Sequence, residues 1–154
     1  MTRAWTILAA CALAASPGAG REAYRPTTLA RALERCQARA AGRDVAFARD
    51  AYLVHAVFAG GKRPVPAERR SFLDGWARSM GARPGVASLY AEEILLREGT
   101  RELWLPVQAP VLSRIAKELR PGDAADLAVL WAGARRGDCV FLVNEIEATA
   151  RPRP

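Results

Sequence analysis

The residues that could do chemistry are few. His55 is the only histidine, and it sits in the most apolar stretch of the chain, Val45 to Phe58. A lone imidazole can act as a general base or a metal ligand. A catalytic zinc needs three protein ligands, commonly with several histidines among them. Read as helical, this stretch is apolar almost all round, so His55 is expected at a core or rim position, bonded to a backbone carbonyl. Ser71, Ser79, Ser88 and Ser113 lack the local context of a nucleophile. There is no HExxH, GxSxG, Cys-x-x-Cys or phosphate-loop glycine pattern. No cofactor or metal site is therefore predicted, and no catalytic residue is assigned.

The carboxylates lead to the same reading. Glu92 and Glu93 are adjacent in a predicted strand, so they point to opposite faces and do not make an acid/base pair. Glu145 and Glu147 share a face near the chain end, where a solvated strand edge is the expectation. Trp76, Trp104 and Trp131 could build an aromatic platform. The alternative, which the alternation favours, is that Trp104 packs under the helices, opposite Leu103 and Leu105. Gln108, beside Pro106, could bind a ligand or close a turn.

The cysteines are more informative because of what precedes them. Arg3, the uncharged stretch Ala4 to Ala15, and then Ser16-Pro17-Gly18-Ala19-Gly20 have the order of a secretory signal peptide. Its apolar part is shorter than the ~20 helical residues that cross a bilayer. Cleavage near Ala15 or Arg21 removes Cys11. Leu8-Ala9-Ala10-Cys11 also resembles a bacterial lipobox, so Cys11 is the lipidation candidate in an alternative, lipid-anchored form. Cys36 and Cys139 remain, and an oxidising compartment lets them pair. Cys36 lies on an apolar helical stripe and Cys139 opens a strand, so a bridge between them would tie helix to sheet.

The elements that must position these groups follow from periodicity. After a Thr27 or Thr28 cap, Leu29, Leu33, Cys36 and Ala40 form one stripe, while Arg31, Arg35 and Arg39 form a ridge on the same helix. Val45 to Phe58 reads as a second, buried helix stopped by Gly60-Gly61, followed by a stiff basic loop, Lys62 to Pro66. A third helix carries Phe72, Leu73, Trp76 and Met80 on one side and Arg69, Arg70 and Arg78 on the other. Beyond Gly81 to Gly85 the period changes. A hairpin from Leu89 to Gln108, a helix from Ala109 to Leu119, and a second hairpin using Leu127 to Trp131 and Cys139 to Ile146 complete the chain. The last strand is apolar on both alternating sets, which calls for cover on both faces.

The predicted organisation is a signal peptide (1–20), one domain (21–150) with a helical half (27–81) and a β-rich half (86–147), and a frayed tail (151–154). The predicted fold is α+β: three N-terminal helices packed on a small antiparallel sheet of strand-strand-helix-strand-strand order.

Charge sets the functional expectation. The chain is 154 residues long with a net charge of +7. Between residues 21 and 83 stand 13 basic and 6 acidic residues, whereas residues 84–154 hold 9 and 10. Arginine outnumbers lysine 21 to 2, a bias that GC-rich coding produces whatever the function. A basic first half attracts polyanions. In an exported protein, periplasmic or secreted, these are lipid surfaces and envelope polymers, with nucleic acid a minor candidate. The expectation is a non-catalytic envelope protein that binds a protein partner or polyanion through Arg31, Arg35, Arg39, Arg69, Arg70 and Arg78. The alternative is a small secreted hydrolase with its site between helices and sheet.

Overall fold

The computed structural model describes residues 24–149. The signal segment, its cleavage site, Cys11 and the 151–154 tail lie outside the described residues. Within them the chain runs β1 (Arg25–Pro26), α1 (Leu29–Ala40), β2 (Val45–Pro64), α2 (Ala67–Ser79), a 3-10 turn (Ala87–Leu89), β3 (Glu92–Glu98), β4 (Arg101–Val107), α3 (Ala109–Glu118), β5 (Ala124–Arg135) and β6 (Asp138–Ala148).

The main correction to the sequence reading is β2. The stretch expected to be a buried helix with a loop behind it is one strand of 20 residues. A segment apolar on every side satisfies the helical and the strand period alike. Its β-branched and aromatic content (Val45, Phe47, Tyr52, Val54, Val57, Phe58) fits a pleated surface. Tyr52, Val54 and Ala56 alternate inward and His55 points out, which is the period of a strand. Gly60-Gly61 does not stop the element. The register jumps between Phe58 and Lys62, so the glycines lie in a bulge, with Gly60 at φ 90°. Such a bulge bends a strand. The first half of β2 pairs with β5 and the second half with β3.

That bend closes the sheet. The order β1-β2-β3-β4-β6-β5 returns through a β2–β5 pairing, so five strands form a ring with β1 outside it. Its seam is the parallel contact of β4 and β6 at Val107 and Val143. Pro106, which has no N–H to donate to a ladder, lies next to that seam. In strand order, and in the helix between the ring's third and fourth strands, this is the partly open Greek-key barrel of the OB-fold type.

The described residues are 47% strand and 30% helix, with a six-stranded mixed sheet. The predicted small four-stranded sheet under three N-terminal helices is therefore wrong. Only α1 and α2 fall in the first half of the chain; α2 is inserted between β2 and β3, and α3 between β4 and β5.

The core explains where each helix sits. Tyr52, Ile94, Leu105, Val129, Trp131 and Phe141 belong to one buried cluster, which α1 joins through Leu29, Ala32, Cys36 and Ala40, and α3 through Val111 and Ile115. Phe72, Leu73, Trp76 and Ala77 of α2 form a second cluster with Ala132, Val140 and Leu142. The two clusters use alternate residues of β5 and β6. That hairpin is covered on both faces, by α1 on one and α2 on the other. Burial of Phe72 or Leu73 contributes ~1.5–3 kcal/mol each, enough to hold an amphipathic helix in place.

Two devices lock α1. Thr28 Oγ1 accepts from Arg31 N at 3.1 Å, and the Glu98 carboxylate accepts from Leu29 N at 2.7 Å and Ala30 N at 2.9 Å. Together they satisfy amides that a helix start leaves open. Further along, a Cys36–Cys139 disulfide joins α1 to the start of β6, with a Cα–Cα distance of 6.2 Å.

Candidate anionic-ligand surface

The six arginines assigned from the sequence do not share one face. Those of α1 and those of α2 stand on helices that pack against opposite faces of the β5–β6 hairpin. Arg31 and Arg35 are exposed, and neither has an ion-pair partner among the described residues. Arg39 is more committed. Its guanidinium lies 4.6 Å over the Trp131 ring and donates to Asp50 Oδ2 at 2.8 Å. The other oxygen of Asp50 accepts from Arg25 at 2.9 Å, and Arg25 lies 5.3 Å over the Tyr52 ring. Arg25, Arg35, Ala38, Arg39, Asp50 and Tyr52 line a solvent-open depression of about 250 Å³.

The arginines of α2 have different work. Arg69 is largely buried; it donates to Glu93 Oε2 at 2.6 Å, to the Trp104 carbonyl at 3.1 Å, and to both carboxylate oxygens of Asp138. Burial opposes its charge, but the hydrogen bond and field of Asp138, with those of Glu93, outweigh burial and hold its pKa above the ordinary value. Arg70 donates to the Val65 carbonyl at 3.0 Å. Arg78 is exposed on the outer side of α2.

The remaining candidates fall into place separately. His55 is neither a core nor a rim residue bonded to a carbonyl. It is an exposed strand residue whose Nδ1 lies 2.8 Å from Asp126 Oδ1 on β5, its partner in the strand register. Ser88 and Ser113 hydroxyls donate to the Gly85 and Ala109 carbonyls of their own turns. Glu92 and Glu93 point apart as expected, toward Lys62 at 3.4 Å and Arg63 at 2.6 Å. No three histidine, cysteine or acidic side chains gather in metal-binding geometry among the described residues.

The tryptophans make no common platform. Trp76 and Trp131 are buried, with indole N–H groups donating to the Ala48 and Gly133 carbonyls. Trp104 is half-buried and alternates with the core residue Leu105, with Arg63 stacked 4.1 Å over its ring. Gln108 closes a part-buried polar chain instead, its amide 3.5 Å from the Tyr90 hydroxyl, which donates to Asn144 at 2.5 Å.

Sequence comparison adds no family. The chain matches no protein-family model, and a search of curated proteins finds no relative. Residue spacing hides the arrangement around Asp50, because Val45–Phe58 satisfies the helical period as well as that of a strand. In a helix Asp50 has no relation to Trp131; in the β2–β5 register the two are direct partners.

Proposed function

We propose that the protein is an exported, non-catalytic envelope protein that binds an anionic partner through the arginine ridge of α1. The observation that carries this reading is Arg31 and Arg35, one helical turn apart, exposed and without a carboxylate partner among the described residues. Export is supported by the disulfide and by the signal-like start, and no described helix is long and apolar enough to cross a membrane. The partner class is an envelope polymer, lipid surface or protein with clustered negative charge. In the alternative, a hydrolase would need a site between helices and sheet. Leu29, Ala32 and Cys36 fill the space under α1, and Phe72, Leu73 and Trp76 fill that under α2.

Sedimentation with anionic and zwitterionic vesicles, alongside retention on an immobilised polyanion, tests the reading. Binding should be selective for negative charge and weaken as salt shortens the Debye length to ~8 Å and below. The double change Arg31→Glu/Arg35→Glu should abolish it. Unchanged binding in that variant would refute the ridge as the contact surface.

A further inference from the structure

We propose that the depression between β1, α1 and the middle of β2 binds a phosphoryl group carrying two negative charges, as a phosphomonoester does. The proposal rests on the arginine-ridge reading and gives that ridge a ligand chemistry. Three guanidinium groups line the depression, from Arg25, Arg35 and Arg39, against one carboxylate, Asp50. The excess of two positive charges matches a phosphomonoester, which carries about −1.5 to −2 near neutral pH.

Asp50 does not cancel the site; it organises it. Each of its oxygens takes one N–H, Oδ1 from Arg25 and Oδ2 from Arg39. A guanidinium has five donors, so both arginines keep N–H groups for a ligand. Their side chains are still 62% and 58% exposed. Tyr52 and Trp131 support the same two guanidinium planes from below. Two of the three arginines are thus ordered before any ligand arrives, which lowers the entropic cost of binding. Arg35 stands one turn before Arg39 on the same ridge and has no carboxylate partner among the described residues. It is the free arm that closes on the anion.

Size narrows the ligand. A volume of about 250 Å³ suits a phosphoryl head with its attached group leaving into solvent. It falls below the ~300–1,000 Å³ of pockets that enclose a drug-sized molecule. A lipid headgroup and a soluble phosphomonoester offer this same chemistry, and the test separates them.

Inorganic phosphate is titrated into the oxidised chain by calorimetry. The chain is also sedimented with phosphatidylcholine vesicles doped with phosphatidic acid, a monoester, or with phosphatidylglycerol, a diester, at equal surface charge. Phosphate should saturate at one per chain. Arg35→Gln, an exposed change whose folding is checked by its melting curve, should weaken it about tenfold, in line with loss of a charge-assisted contact. Arg83→Gln, an exposed change in the loop after α2 and away from the ridge, should leave phosphate affinity unchanged. Preference for phosphatidic acid over phosphatidylglycerol assigns the site to a headgroup; phosphate binding without that preference assigns it to a soluble ligand. Non-saturating phosphate, or equal losses from Arg83→Gln and Arg35→Gln, overturns the site and leaves only diffuse attraction to a basic surface. Absence of binding to every anionic probe overturns both.

Discussion

Arg69 on α2 reaches the fully buried Glu93 on β3 and holds one of its oxygens at 2.6 Å, while Arg63 holds the other at the same distance. The carboxylate is buried without being stranded, because both oxygens are taken by guanidinium donors. Through its second pairing, with Asp138 at 2.8 Å, Arg69 also ties α2 to the β5–β6 turn.

Breaking this pair from one side should be costly. Arg69→Met is expected to destabilise the fold by about 3–5 kcal/mol, since it leaves a buried charge short of a partner. Replacing both partners, as in Arg69→Met/Glu93→Leu, should cost less than the single change. Urea unfolding of the two variants decides it; a single variant no weaker than the double would contradict the role given to Glu93.

The Cys36–Cys139 bridge closes a loop with a sequence separation of 103. In the chain-entropy account a loop of ~100 residues contributes about 4.7 kcal/mol. Cys36→Ala/Cys139→Ala should therefore lower stability by roughly 3–5 kcal/mol. Thiol titration of the denatured, unreduced chain should find neither residue free. Two reactive thiols at these positions would remove the bridge from the account.

Gly133 lies where β2 and β5 approach most closely. A β-carbon there would overlap the Ala46 carbonyl oxygen, and its φ of 132° is strained for any other residue. Gly133→Ala is expected to cost on the order of 4–5 kcal/mol, at the upper end for point changes. Gly137, at the hairpin tip, has open space around it but a φ of 82°, so alanine there should cost only about 1–2 kcal/mol. Comparable melting temperatures for the two variants would count against the close approach.

Burial pushes the Tyr90 hydroxyl up to about 12, from an ordinary value of 10.0. The neutral form is the one the fold favours. Its contribution is therefore complete below pH ~10 and is lost as pH rises toward 12. Ultraviolet titration should show one tyrosine ionising late, and Tyr90→Phe should remove that component and flatten the alkaline loss of stability. A late component that persists in Tyr90→Phe would assign it to another residue.

Much of the second half was legible in residue order alone. The Glu98-Gly99 turn, the Ala109 helix and the Cys139 strand each carry a clear period with a breaker at the boundary, and the structure has an element at each place. The apolar stripe of α1 likewise showed which side faces the core, and so placed Cys36 toward the sheet. These are local properties, set by spacing and turn chemistry within a few residues.

β2 was not legible, and the fold class went with it. Apolar residues on both sides of Val45–Phe58 leave no single period, and the choice of strand came from partners far along the chain. β3 and β5 each offer half of it a ladder once the Gly60-Gly61 bulge turns the chain. The candidate site depended on the same decision. The sequence alone determined that arginines line one ridge of α1, because a helix repeats every 3.6 residues. Only the tertiary structure brought Asp50, Tyr52 and Trp131 beneath that ridge, because strand pairing joins residues by register across the chain and not by their distance along it.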